Sequence, residues 1–312
     1  MEPIIEPVDR AAIESELTTD RFLRHTNKGD NYLYVVDAHC APHTMQEIGR
    51  LREAAFRQAG GGTGKGCDID EFDTMPEPCR QLIVWDPEAR EILGGYRFIT
   101  GDKVEINDGV PRIATSHLFK FSEKFLNEIL PDTLELGRSF VSVGYQSSKA
   151  GAKALFALDN LWDGLGALTV VYPHIKYLFG KVTMYPAFGR RNLDLILGFL
   201  NKHFPDPEGL VSPIKPIETK AMSAEIQREL SGATYKEDYK ILNRLIREQG
   251  LNIPPLVNAY MSLSPTMRMF GTAVNDEFGE VEESGIFLTI SEIVEEKKER
   301  HIETYKEEIG NE

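Results

Sequence analysis

The alternation of apolar and polar positions along this chain switches repeatedly between a period of two and a period near four. Ile48, Leu51, Ala55 and Ala59 recur at helical spacing within residues 44 to 59, and Thr44 is positioned to cap that helix. Asn31 to Asp37 reads as a strand. Gln81 to Asp86 and Ile92 to Thr100 read as two more, and the intervening Pro87 to Arg90 predicts a hairpin. A short helix is expected over 118–129 and an apolar strand over Thr133 to Val143. A turn-rich segment from Tyr145 to Gly151 then leads into an amphipathic helix carrying Ala154, Leu155, Leu158, Leu161, Trp162 and Leu165 on one side. Lys181 to Tyr185 predicts a strand, Leu193 to His203 and Ile241 to Glu248 two helices, and Ile286 to Ile290 a last strand. The periodicity alone gives a mixed α/β (α+β) chain without internal repeats. Its expected parts are a polar, partly helical extension over 1–30, a core over 31–204, an extension over 205–292 completing the fold, and a charged, solvated or frayed helix over 293–312. Pro205 to Pro216 holds four prolines and reads as an excursion or linker.

Charged residues inside these apolar patterns are the informative exceptions. Glu135 and Arg138 stand within the strand Thr133 to Val143, where burying either is costly unless it is paired or used. Apolar neighbours push a carboxyl pKa up, which suits Glu135 to accept a proton. Strand alternation points positions 135 and 138 to opposite faces. Either a β-bulge, eased by Gly137, brings them together, or Arg138 holds an acidic element from the other side. Asp68, Asp70 and Asp73 form such an element, and three carboxylates this close need a cation: Arg52, Arg97, a metal or a bound ammonium group. The calcium-loop pattern is absent, so no metal is expected. Gly60 to Gly66 is superficially like a phosphate-binding loop, but Lys65 is followed by glycine and the loop follows a helix; a mobile lid is the better reading. Strand, polar loop and helix around Gln146, Lys149, Gly151 and Lys153 present backbone N–H groups to an anion. Ser139 with His117 lacks a nucleophile elbow, which argues against a hydrolase.

Composition narrows the class. The chain has 312 residues, 41% hydrophobic and 27% charged, with a net charge of −14, which argues against a general nucleic-acid binder. Cys40, Cys67 and Cys79 follow no metal-ligand spacing and fit a reducing compartment. With no visible signal peptide and no apolar run of membrane-spanning length, a cytoplasmic protein is expected, with peripheral contact to the inner membrane face left open. Lys181, Arg190 and Arg191, joined by Lys176 and Lys202, make a local basic cluster; it is either ordinary surface or a dock for an acidic carrier or anionic headgroups.

In order and spacing, Arg52 with Phe56 (R-x-x-x-F), Asp70 with Asp73 (D-x-x-D), Gly94 to Phe98 around Arg97, and Glu135 with Arg138 (E-x-x-R) resemble the GNAT acyltransferase superfamily. More narrowly they resemble the branch of acyl-homoserine-lactone synthases and hemolysin-like, acyl-carrier-dependent N-acyltransferases of ornithine and glycine lipids. Phe270 to Gly279 followed by Gly285 to Ile290 resembles the tail of the lipid branch. The resemblance covers about residues 40 to 292. It implies a GNAT-like fold, a mixed central sheet flanked by helices, with a bulge in the strand of Glu135. It also implies transfer of a fatty acyl group, 3-hydroxylated or not, from acyl carrier protein to an amino acid of the glycine or ornithine type. Glu135 and Arg138 would be catalytic. Arg52, Phe56, Asp70, Asp73, Arg97 and Ser139 would bind substrate, and Val141, Val143, Gln146, Lys149, Gly151 and Lys153 the acyl donor. No cofactor is expected beyond the phosphopantetheine thioester as co-substrate. The loop matches the family's pyrophosphate signature only at Gly151, which fits the single phosphodiester of a carrier better than coenzyme A, though acyl-CoA stays open. A homoserine-lactone synthase and a non-catalytic acyl- or carrier-binding module are the rivals. The lytic activity the hemolysin label suggests finds no long amphipathic or apolar segment.

Overall fold

A computed structural model describes residues 1–146 and 152–310, the side chains of 152–155 excepted. Eight strands build the central sheet: β1 (Phe22–His25), β2 (Tyr32–Val36), β3 (Arg80–Asp86), β4 (Glu91–Thr100), β5 (Thr133–Val141), β6 (Tyr177–Met184), β7 (Arg268–Asn275) and β8 (Val281–Thr289). Their order is β1-β2-β3-β4-β5-β6-β8-β7. Every neighbouring pair is antiparallel except β5 with β6, which are parallel. A parallel pair needs a crossover, and helix α3 (Ala152–Val171) supplies it.

Both faces of the sheet are covered, which is why β3 and β4 read as continuous apolar runs rather than alternating ones. Helix α2 (Pro42–Ala59) packs Met45, Ile48 and Phe56 against Tyr34, Ile83 and Trp85. On the opposite face α3, α4 (Arg190–His203), α6 (Tyr235–Glu248) and α7 (Pro255–Met261) bury Leu161, Ile196, Leu242 and Val257 with Leu82, Val84 and Leu136. The fold is mixed α+β, and β7 and β8 extend the same sheet.

Several expectations change. The N-terminal extension holds a shorter helix (Arg10–Glu16) and then β1, a strand the polar sequence concealed. Helix α2 starts at Pro42. Thr44 is not its cap but gives its backbone N–H (2.7 Å) and hydroxyl (2.8 Å) to Glu16. The glycine-rich loop is pinned rather than lid-like: Glu53 accepts from Thr63 N (3.0 Å), Thr63 Oγ1 (2.8 Å) and Gly64 N (2.8 Å), and Arg57 holds the Lys65 carbonyl (2.6 Å). Residues 118–129 are not one helix. Phe119–Phe121 pairs as a strand with Val211–Pro213, and Phe125–Ile129 forms a π-helical turn. The proline-rich stretch is therefore packed against the body of the protein, with Pro216 bridging to Ala273. The terminal segment Glu295–Gly310 is docked, not solvated: His301, Ile302 and Tyr305 are buried, and His301 Nδ1 meets Asp163 on α3 at 2.7 Å. Among the described residues no helix is long and apolar enough to cross a membrane.

Candidate active site

Strands β5 and β6 pair from Thr133↔Tyr177 to Leu136↔Gly180 and then part. Beyond that point, among the described residues, one edge of β5 has no strand beside it, and a cavity of about 470 Å³ opens between the two strands. Side chains alternate across a strand, so the cavity has two unlike ends. On the α2 side its wall is Arg138, Lys181, Glu283, Phe56 and Phe278; on the far side Leu136, Met184, Leu193, Leu256 and Val257 make it apolar.

The bulge lies where the strands part. Gly137 faces Arg97 and Phe140 faces Gly95, so Arg138 and Ser139 both stand opposite Tyr96. The residue that absorbs the distortion is Arg138, at φ +48°, not Gly137. A left-handed arginine costs on the order of 1–3 kcal/mol and persists only where its surroundings fix it. Here they do. Arg138 pairs with Asp68 (3.0 Å) and Asp70 (3.5 Å), and its guanidinium lies 4.7 Å from the centre of the Phe278 ring.

Behind this wall the acidic element is neutralised by arginine. Asp70 caps the one-turn helix Glu71–Thr74 in a capping box with Asp73. Arg97 reaches Asp70 at 2.6 Å and Asp73 at 3.2 Å; Arg52 reaches Asp73 at 3.2 Å, and Gln81 donates to Asp73 at 2.9 Å. Arg52, Asp73 and Arg97 are fully buried. Burial alone would raise the Asp73 carboxyl, but the charges of Arg52 and Arg97 hold it far below the usual carboxylate range. Among the described residues no His, Cys, Asp and Glu cluster is arranged to hold a metal ion.

Glu135 lies in the same buried layer. It has no ion-pair partner among the described residues, and its Oε1 accepts no hydrogen bond there. Burial pushes its carboxyl up, against the opposing charges of Arg97 and Lys181 and the nearby Thr115 hydroxyl. Glu135 and Arg138 thus converge on one electrostatic cluster without touching, and Glu135 sits behind the cavity wall rather than on it.

Of the remaining expected residues, Phe56 and Ser139 line the cavity. The Val141 carbonyl accepts from Gln146 Nε2 at 2.7 Å, and Val143 is exposed beside a second hollow with Ser142 and Tyr145. Lys149, Gly151 and the side chain of Lys153 lie outside the described residues. The expected basic cluster does not assemble. Arg190 pairs with Asp194 and Glu282, Arg191 with Glu225 and Glu229, Lys176 with Asp132 and Lys202 with Asp238. Lys181 turns inward to Glu283 instead. That pair, with Tyr96 and Tyr260 on the cavity wall, was missed in the sequence. The signal was present: Lys181 and Glu283 are charges inside strand patterns, as Glu135 is.

A model of the GNAT acetyltransferase domain matches residues 51–155. A glycine Nα-acyltransferase of Bacteroides thetaiotaomicron is 60% identical over 308 residues, covering 98% of this chain and 91% of that protein. A second, from Phocaeicola vulgatus, is 58% identical over 306 residues, covering 98% and 94%. Among solved structures, a CoA-dependent acyl-homoserine lactone synthase with SAM and isopentyl-CoA aligns over 53% of this chain and 72% of its own. It does so at 15% identity and a TM-score of 0.31, a likeness too loose to argue from.

Proposed function

Because this chain belongs to the same family of GNAT N-acyltransferases as those two bacterial proteins, we propose that it moves a fatty acyl group from the phosphopantetheine thioester of acyl carrier protein to the amino group of glycine. The product, an N-acyl amino acid, would serve amino-acid lipid synthesis. The family relatives support glycine over ornithine as acceptor. The observation that carries the reading is the two-ended cavity at the parting of β5 and β6. Its apolar end suits an acyl chain. Its polar end suits a small charged acceptor. The unpaired edge of β5 offers backbone groups to the amides of an extended pantetheine arm, as sheet edges do for peptides.

In this mechanism the neutral amine attacks the thioester carbonyl. The C–N bond forms, the C–S bond breaks, and the carrier sulfur leaves as a thiolate, which receives the proton that the amine first gives to Glu135. Glu135 takes the proton lost by the amine, through one water since it stands behind the wall. Arg138, held over the cavity, polarises the carbonyl oxygen as negative charge develops there.

Incubating the purified protein with glycine and acyl-carrier protein, and reading products by mass spectrometry, tests this. N-acylglycine is expected. Binding of the acyl donor without turnover would favour the non-catalytic module, and a lactone product the homoserine-lactone synthase.

A specific feature favours a 3-hydroxyacyl chain. The buried Tyr96 hydroxyl lies beside those of Ser139 and Tyr260 on the cavity wall, yet has no well-aligned hydrogen bond among the described residues. A donor hydroxyl would satisfy it. Tyr96→Phe should then lower the preference for 3-hydroxyacyl over plain acyl donors by roughly fivefold to tenfold, the worth of one hydrogen bond. An unchanged preference counts against this feature.

A further inference from the structure

Lys181 is the first residue of β6 beyond its last pair with β5, and its ammonium group pairs with Glu283 on β8. The two side chains are 10% and 1% exposed, yet both stand on the cavity wall. Glu283 is fixed from two further sides, accepting from Thr183 Oγ1 and from Asn275 Nδ2, each at 3.0 Å. Lys181 Nζ lies 5.9 Å from the centre of the same Phe278 ring that carries the Arg138 guanidinium, so two cations share one aromatic ring. A buried ion pair repays its own desolvation poorly, so stability is a weak reason to keep one on the wall of a cavity. The mechanism above uses neither group.

We propose that Lys181 and Glu283 form the acceptor-binding dyad: Lys181 takes the α-carboxylate of an amino-acid zwitterion, and Glu283 takes its α-amino group. This rests on the amino-acid acceptor proposed above. In a zwitterion the two charges are separated by a single carbon. Inserted between the two side chains, it exchanges one ion pair for two and leaves the net charge of the buried site unchanged. Neither the acceptor nor the dyad is left with an unpaired buried charge. Phe56, Phe278 and Tyr185 crowd the same end of the cavity, which favours an acceptor without a side chain.

Steady-state kinetics with glycine and with glycinamide, which keeps the amine and loses the carboxylate, provide the test. Lys181→Met should raise KM for glycine about 10- to 100-fold, the loss of a charged hydrogen bond. KM for the acyl donor should hold, and the glycine-to-glycinamide ratio of kcat/KM should collapse toward one. Lys181→Arg should restore much of that ratio. Because Lys181→Met leaves Glu283 without its counter-charge, the neutral pair Lys181→Met/Glu283→Gln is assayed beside it, with melting temperatures. In that folded double variant a preserved ratio, or a change confined to donor KM, would overturn the assignment while leaving glycine acylation intact. Failure of the unmodified protein to acylate glycine would instead remove the acceptor reading, and the dyad's role with it.

Discussion

Glu135 is held in a layer of arginines and aspartates without, among the described residues, being paired to any of them. Glu135→Gln keeps its shape and removes its capacity to take a proton, so turnover should fall roughly 10²–10⁴-fold. It should be partly rescued as rising pH deprotonates the acceptor amine. The fold should not suffer. Burial raises this carboxyl above its ordinary value of 4.5, so the folded state holds its proton to a higher pH than the unfolded chain does. Below the unfolded value that difference costs nothing; as pH rises toward and through the folded value, ionisation progressively destabilises the native state. The glutamine variant escapes this, and its melting temperature should match the unmodified protein at pH 4 and equal or exceed it at pH 8. A large drop at pH 8 would show a hidden ion pair and sink the base assignment. Asp73→Asn should behave oppositely. It leaves Arg52 and Arg97 buried and short of negative charge, at about 3–5 kcal/mol by denaturant unfolding. The pairing of the acidic element with Arg52 and Arg97 was legible in the sequence, because three close carboxylates demand a cation. The Lys181–Glu283 pair was not, because its halves lie about a hundred positions apart and only sheet topology brings β6 beside β8.

At the scale of elements, long periodic segments were readable and short edges were not. The hairpin β3–β4, the strand of Glu135 and helices α2, α3 and α4 follow their apolar spacing. Strand β1 is short and irregular in its register with the neighbouring β2, and the pairing of Phe119–Phe121 with Val211–Pro213 joins segments far apart along the chain, so no local pattern marks either. The bulge was foreseeable in place but not in detail, since ion pairs, rather than glycine, pay for the left-handed residue. The terminal segment misled because its charges find specific partners on α3. At Gly166 the His301 carbonyl oxygen comes so close that an added Cβ would lie 2.1 Å from it. Gly166→Ala must therefore displace the terminal segment or bend α3, at about 1–3 kcal/mol of overpacking. Hydrogen exchange should show that loss concentrated in residues 295–310. Unaltered protection there would mean the segment contributes little to the docked state.

The whole molecule carries a net charge of −14, so association with an acidic carrier protein needs a local exception. Arg190 and Arg191 do not provide it, since each is already matched by two carboxylates. Helix α6 offers a better one. Lys236, Lys240, Arg244 and Arg247 fall at i, i+4, i+8 and i+11 on one exposed face. Among the described residues only Arg244 has a carboxylate partner, Glu248 at 2.8 Å. The chain that follows α6 directly supplies Leu251, Pro254 and Leu256 to the apolar part of the cavity wall, so a carrier bound on α6 would contact an element continuous with that wall. Replacing Lys236, Lys240 and Arg247 by glutamate should raise KM for acyl-carrier protein about tenfold or more at low ionic strength. Added salt should shrink the effect, because exposed charges more than about 10 Å apart are screened near 0.1 M. KM for acyl-CoA, which needs no protein dock, should not move. The unmodified protein should likewise show a higher kcat/KM with acyl-carrier protein than with acyl-CoA of matched chain. Equal values on the two donors would count against the carrier as partner. A triple variant that keeps a normal KM for the carrier at low salt would leave the stripe on α6 as ordinary solvated surface.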